Sequence, residues 1–327
     1  MRIAIDAMGG DHAPNAPVLG TIQAARDLPD VEFILVGRDA EIRVITSEFP
    51  PNVTIVHAED VIAPNAEPVK SVRKQKDSSL VVCTTMVRDG TADAMVSAGN
   101  TGAFMVAGLF VVGRMEGIER PALAAMMPTF KGQGVLLMDA GANTDSTAKN
   151  LVQWAHMGQA YMRLTHGLSH VRVGLLNIGS EPGKGNELSK VAYELLEHDC
   201  SHFVGNVEAR ELLNGACDVV VCDGFVGNVL VKFYEGAGMG FLESLKHIFF
   251  ANPLTKLAAL SMRSGLKAFK KRFDYAEYGG GPFLGVRGVL VKAHGSSNPR
   301  AFEMAVRHAY NMQHSGLIQD LEQSIHG

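Results

Sequence analysis

Short apolar runs alternate along this chain with longer stretches in which apolar positions recur every three or four residues. The runs at Arg2–Asp6, Glu32–Val36, Val53–His57, Asp93–Ser97, Leu123–Met126, Gly134–Asp139, Val171–Ile178, Cys217–Cys222 and Val289–His294 read as strands. The stretches at Ala16–Asp27, Val69–Arg88, Gly102–Met115, Thr147–Leu164, Glu187–His198 and Pro299–His314 carry helical spacing and caps. Alternation of this kind predicts an α/β protein, with a mostly parallel sheet covered by helices on both faces. No internal repeat or low-complexity segment interrupts it.

One stretch departs from the pattern. From Phe225 to Phe273 no strand is expected, so two or three consecutive helices should project from the sheet as an insertion at about 228–275. Asn252-Pro253 has the form of a helix start. Between Ser244 and Phe273 stand Lys246, Lys256, Arg263, Lys267, Lys270, Lys271 and Arg272, with no Asp or Glu. On a helical wheel Ala258, Met262, Leu266, Phe269 and Phe273 share an arc of roughly 80°, with the charges opposite and Leu260 among them. A helical pair packed on a core or on a second subunit is the plainer reading; docking to anionic lipid or an acidic partner is the sharper one.

Composition narrows the class. At 327 residues, 46% of them hydrophobic, the chain can bury a substantial core, here expected as a single domain over 1–327. A net charge of −4 and a pI near 6.3 give no reason to expect nucleic acid. Cys83, Cys200, Cys217 and Cys222 form no CxxC pair, so neither a disulfide framework nor a zinc site is expected, and a reducing cytoplasm fits. The longest apolar stretch, Ala103–Gly113, is too short to cross a bilayer.

Candidate chemistry gathers where strands end. Asp6-Ala7-Met8-Gly9-Gly10-Asp11-His12, Ser97-Ala98-Gly99-Asn100-Thr101-Gly102, Asp139-Ala140-Gly141-Ala142-Asn143, Gly179–Glu187, Asp223-Gly224-Phe225-Val226-Gly227-Asn228 and His294-Gly295-Ser296-Ser297 all follow strand-like runs. In an open α/β sheet such ends converge on a ligand-binding rim, where Gly lets backbone approach and N–H groups hold anions. Asn100 and Thr101 are candidate phosphate ligands, and Lys184 in its Gly-rich turn suits a phosphate or an oxyanion. Three residues separate Gly179 from Gly183, and Gly185 stands where Ser or Thr would hold magnesium, so the turn is not a Walker A loop. Asp11, His12, Asp139, Asn143, Asp223, Asn228 and His294 could orient donors or exchange protons, though turns and helix caps use the same residue types. No GxSxG elbow is present, and Cys222 is the one cysteine expected at the rim.

Taken together and in this order, the motifs closely resemble those of the bacterial phosphate acyltransferases, the acyl-ACP:phosphate transacylases of fatty acid and phospholipid synthesis. The resemblance runs from Arg2 to beyond Ser297. It implies a three-layer α/β/α fold of the phosphotransacetylase/isocitrate-dehydrogenase type, a homodimer, and no cofactor or metal. It further implies transfer of a long acyl group from acyl carrier protein to inorganic phosphate, in a cytoplasmic enzyme peripherally attached to the membrane. A glycerol-3-phosphate acyltransferase would consume the acyl phosphate there. On this reading Lys184 and Asn228 stabilise the oxyanion or the phosphate, while Asp11 and His12 orient groups or exchange protons. Asn100, Thr101, Gly102, Asn143, Gly183, Asp223 and His294 would bind substrate. Membrane or partner contact falls to Lys256, Leu257, Arg263, Leu266, Lys267, Phe269 and Lys270. A phosphotransacetylase or phosphotransbutyrylase using a short acyl-CoA is the competing expectation.

Overall fold

Residue parity along the strands decides which layer each side chain meets. The computed structural model describes residues 1–266 and 279–326. Its strands are β1 (Arg2–Asp6), β2 (Glu32–Gly37), β3 (Val53–His57), β4 (Ala94–Ser97), β5 (Ala122–Met127), β6 (Val135–Met138), β7 (Val173–Asn177), β8 (Phe203–Glu208), β9 (Val219–Val221), β10 (Gly281–Leu284) and β11 (Val289–Lys292). Ile3 and Ile5 of β1, Val289 and Val291 of β11, and Leu136 and Met138 of β6 join one core, with Phe302, Trp154 and Tyr161 from helices Pro299–His314 and Ala148–His166. The intervening Ala4 and Leu290 face a second core on the other side of the sheet, with Val72, Leu80 and Phe104. Val135, Leu137 and Val220 face a third, against Leu230 and Val231. Successive side chains point to opposite faces of a strand, so both faces of these strands are apolar and both are covered by helices. The result is the expected three-layer α/β/α arrangement.

The sheet is less uniform than the alternation suggests. Its order is β3-β2-β1-β4-β11-β10-β5-β6-β9-β7-β8. Strands β3 to β11 form one parallel block and β6 to β8 another. Between them, β11–β10, β10–β5 and β5–β6 all pair antiparallel. Three reversals leave the two blocks running in opposite senses.

Two strands escape the periodicity argument. In β8 the apolar alternation is broken by Gly205, at φ 86°, and by the half-polar set Asn206 and Glu208. In β10 only Gly-Pro-Phe-Leu remains after a glycine cluster. The helix expected over Val69–Arg88 is two, Pro68–Lys74 and Ser79–Arg88. The break lets the Ser79 hydroxyl reach the carboxylate of Asp6 at 2.6 Å. The helix expected over Gly102–Met115 is α-helical only across Thr101–Ala107, then widens into a π turn over Gly108–Gly113. A Cβ at Gly108 would lie 2.9 Å from the ring of Phe283, so that turn packs where only glycine fits.

Helices occupy the described part of the stretch from Phe225. Gly224–Phe250 runs for 27 residues, and Pro253–Ser261 folds back after Asn252, whose side chain caps it at Thr255 N. The helix ends at Ser261 and Met262 forms its cap, so the wheel drawn through Ala258 and Leu266 does not continue as one face. Leu254, Leu257, Leu260 and Met262 are exposed there. Lys267, Phe269 and Lys270 lie outside the described residues, as do Lys271, Arg272 and Phe273. No described helix is long and apolar enough to cross a membrane.

Candidate functional site

Three polar strand ends share one face of the sheet. Asp6 ends β1 in phase with Ala4, Ser97 ends β4 in phase with Met95, and Lys292 ends β11 in phase with Leu290. The parallel register places Lys292 beside Ser97. All three residues are buried. Ser79 and Ser97 each donate a hydroxyl hydrogen bond of 2.6 Å to the carboxylate of Asp6, and the Met8 N–H adds a third at 3.3 Å. Burial pushes the Asp6 carboxyl upward, against these donors and the charge of Lys292. Burial likewise pushes the Lys292 ammonium down to about 8, against the pull of Asp6 and Asp11. The two acids thus favour the ammonium form that burial opposes. Only glycine fits at position 9, where a Cβ would lie 2.5 Å from the Asp6 carboxylate and 2.6 Å from Gly99 N.

The other block is organised by Asp139. Its carboxylate accepts from the N–H groups of Leu123 (3.0 Å), Gly141 (3.2 Å), Ala142 (3.0 Å) and Asn143 (2.7 Å), and from the Asn143 side chain (2.9 Å). Burial raises the carboxyl above its usual range, but these donors favour the ionised form. An acceptor so fully occupied is a scaffold rather than a base. Asn143 also donates to the Pro121 carbonyl at 2.9 Å, so both of its amide hydrogens are engaged. Gly224 and Gly227 press against this loop: a Cβ at Gly224 would meet Asp139 Oδ2 at 2.6 Å, and one at Gly227 would overlap the Asp139 carbonyl oxygen. Gly141, at φ 129°, faces Asn228. Asp223 caps the long helix by accepting from Val226 N at 3.0 Å.

Between the two blocks lies a cavity of about 380 Å³. Thr101, Lys292, His294 and Gly295 line it from the first block, Gly141 and Asn228 from the second, and Lys232 and Glu235 from the long helix. Its remaining wall is apolar, formed by Met105 and by β5 with its flanks from Leu123 to Pro128. His294 lies 3.8 Å from the Glu235 carboxylate and 2.8 Å from the Ser296 hydroxyl. The Asp11 N–H holds the Gly295 carbonyl at 2.8 Å. The lining thus combines groups that suit an anion and a polarised carbonyl with apolar side chains that suit a hydrocarbon.

Of the candidates from sequence, Thr101, Asn228 and His294 meet in this cavity. Asp11 supports its rim through backbone, while His12 is exposed. Asn100 lies next to it, but its side chain caps helix Thr101–Ala107 at Ala103 N and donates to the carbonyls of Ala63, Pro64 and Ala66. Gly102 packs on Pro68. Gly183 and Lys184 are elsewhere, exposed on the turn after β7, where the Lys184 carbonyl accepts from Asn177 at 3.0 Å. That turn borders a second groove of about 520 Å³, lined by Leu175, Leu176, Ile178, Leu188, Val226 and Phe233. The single rim expected from the strand ends is thus divided: the loop after β6 and the helix after β9 line the cavity, while the turn after β7, in the same parallel block, borders the second groove. Cys222 is buried and its thiol is pushed well above the usual range, chiefly by burial. Asp6 and Lys292 are not among the candidates from sequence. Their signal is a charged residue completing an otherwise apolar strand on the face shared with Ser97. Among the described residues no group of His, Cys, Asp and Glu could hold a metal ion.

Comparison with known proteins decides the family. The model for "Fatty acid synthesis protein" matches residues 1–320. A phosphate acyltransferase of Brevibacillus brevis is 50% identical over 326 residues, covering 99% of this chain and 97% of that protein. This chain belongs to the phosphate acyltransferase family. A second member, from Bacillus thuringiensis, is 49% identical over 313 residues, covering 95% of this chain and 94% of its own. The enzyme is an acyltransferase. Its fold is that of the phosphotransacetylases: the crystal structure of a phosphotransacetylase from Streptococcus pyogenes superposes with a TM-score of 0.57 at 17% identity, over 100% of this chain and 94% of that one.

Proposed function

We propose that the enzyme moves a long-chain acyl group from acyl carrier protein to inorganic phosphate, releasing acyl phosphate and the carrier thiol. One observation carries this reading: the lining of a single cavity combines Lys292, Asn228 and Thr101 with an apolar wall along Leu123–Pro128. A phosphate oxygen attacks the thioester carbon, and the carbonyl electron pair moves onto oxygen. When the pair returns, the C–S bond breaks and the proton of hydrogen phosphate ends on the departing thiolate. Phosphate is itself the nucleophile, so the protein's work is positioning and charge stabilisation. Asn228, facing Gly141 across the cavity mouth, is the side-chain donor for the oxyanion. Lys184, exposed on its turn, meets the acidic carrier protein rather than the reacting atoms, as rim charges do in steering encounters.

The same reading extends to the surroundings. Ile178, Val226, Val229 and Phe233 are exposed on this chain around one groove, and a second subunit covering them would form the homodimer. Leu254, Leu257 and Leu260 are exposed on the same helix as Lys256, a mixed apolar and basic surface suited to an anionic membrane. There a glycerol-3-phosphate acyltransferase would take the product.

A phosphate-dependent assay with palmitoyl carrier protein and acetyl-CoA as alternative donors tests this. Acyl phosphate from the carrier-bound palmitoyl group, with acetyl-CoA turned over far more slowly, is expected. The reverse preference would make the enzyme a short-chain phosphotransacetylase.

A further inference from the structure

We propose that Lys292 is the catalytic cation of this cavity, its ammonium group gripping the phosphate that attacks the thioester, with Asp6 as the positioning residue behind it. The inference rests on phosphate being the acyl acceptor and identifies the group that holds it.

The geometry leads to this assignment. Lysine seldom occupies a buried strand, because desolvating its charge is costly. Here it stands at the end of β11, flanked by Val291 and Ala293, and reaches the cavity wall. One of its ammonium hydrogens goes to the Ala293 carbonyl at 2.5 Å. An ammonium carries three donors, so capacity remains for a ligand oxygen. Asp6 lies beneath the same face, its carboxylate fixed by hydroxyls from two other elements, Ser79 and Ser97. That arrangement stores a negative charge where it keeps a buried lysine protonated without displacing it from the cavity. Other groups facing this end are Asp11 on the loop after β1, Glu235 and Lys232 on the long helix, and His294 beyond β11. β10, which pairs with β11 on its other side, contributes only Gly281 and Pro282 opposite it. Without an anion, Lys292 donates to a backbone carbonyl and is favoured as a cation by the charges of Asp6 and Asp11. With hydrogen phosphate bound, it gains a charge-assisted contact that persists as negative charge builds on the carbonyl oxygen.

Lys292 needs no net proton transfer in this role, since the proton released by the attacking phosphate balances the thiolate. Its ammonium form must be present for phosphate to bind. Phosphate affinity should therefore weaken as pH rises through the range in which Lys292 loses its proton, and Asp6→Asn should shift that limb to lower pH.

The test measures phosphate binding by calorimetry and turnover with palmitoyl carrier protein, on the unmodified enzyme and on Lys292→Met and Lys292→Arg. Lys292→Met is expected to weaken phosphate roughly tenfold to a hundredfold, the worth of one hydrogen bond to a charged group. KM for the acyl donor should stay within about twofold, and Lys292→Arg should recover part of the phosphate affinity. Phosphate binding by Lys292→Met equal to that of the unmodified enzyme overturns the assignment. So does phosphate binding by the unmodified enzyme that is flat from pH 7 to 9.5, a result independent of whether any variant folds. If the unmodified enzyme makes no acyl phosphate yet loses phosphate binding in Lys292→Met, the cation assignment stands and the carrier-protein reading fails.

Discussion

Asn143 gives both its backbone N–H, at 2.7 Å, and its side-chain amide, at 2.9 Å, to the same carboxylate oxygen of Asp139. The pair closes a loop whose other N–H groups, from Gly141 and Ala142, point to the second oxygen. Through Gly141 the loop sets the wall that Asn228 faces.

Replacing Asp139 by Asn should therefore break more than one bond. The amide nitrogen would meet N–H donors on one side, leaving buried groups unsatisfied at roughly 1–3 kcal/mol each. Urea unfolding at pH 7 should show a loss of about 2–4 kcal/mol, with turnover falling in the fraction that remains folded. Unchanged stability would mean that the carboxylate is not the organiser.

Glycines on the long helix separate a structural demand from a neutral one. Gly227→Ala drives a methyl group into the Asp139 carbonyl and should lower the melting temperature sharply, with loss of activity. Gly236, on the same helix, has open space where a methyl group would stand, with nothing within 4 Å. Its replacement by Ala should hold or raise stability by about 0.5–1 kcal/mol. Thermal melts of the two variants side by side decide.

Acid should destabilise the fold through His308. Its Nδ1–H donates to the Gly279 carbonyl at 3.0 Å, and the Nε2 of the neutral ring accepts from the Tyr161 hydroxyl at 2.6 Å. Burial, helped by His166, lowers it from 6.5 to about 4. Between those values the unfolded chain binds the extra proton and the native one does not. The stability that comes from keeping this ring neutral is present above pH 6.5 and lost as pH falls toward 4, in total roughly 3 kcal/mol. Denaturation curves at pH 7 and 4.5 should show that slope, and His308→Gln should flatten it.

Chain-length preference should follow the apolar wall. Ala125 lines the cavity on β5, and Ala125→Phe fills space that a long acyl chain would occupy. Competition between carrier-bound palmitoyl and octanoyl groups should shift toward octanoyl by about tenfold. An unchanged ratio would place the chain elsewhere.

Much of this architecture is legible from apolar spacing, because strands buried on both faces are written as continuous Val, Ile and Leu runs. The helix at Pro299–His314 is bounded by Asn298 and Pro299 and lies where the pattern puts it. β8 and β10 are not legible, since glycine and polar residues replace the alternation and their place is fixed by neighbours. At the site, the loops after β4, β6, β9 and β11 announce themselves by Gly, Asn and Asp. Their division of labour does not. Asn100 and Asn143 have the chemistry of ligands, yet their amides are consumed by carbonyls and caps that only the folded chain brings near. Lys292 reads as the tail of a strand until parity places it beside Ser97, on the sheet face that Asp6 shares.

The reversal at the centre of the sheet has a mechanical consequence. Lys292 is carried by one block and Asn228 by the other, and within the sheet only the pairing of Phe283 with Leu123 and Leu284 with Ala122 stitches β10 to β5. Slippage of one residue along that seam would turn inward-facing side chains outward and move Lys292 out of register with Asn228. The distance between the two sides of the cavity is thus tailored by the pairing of two short strands.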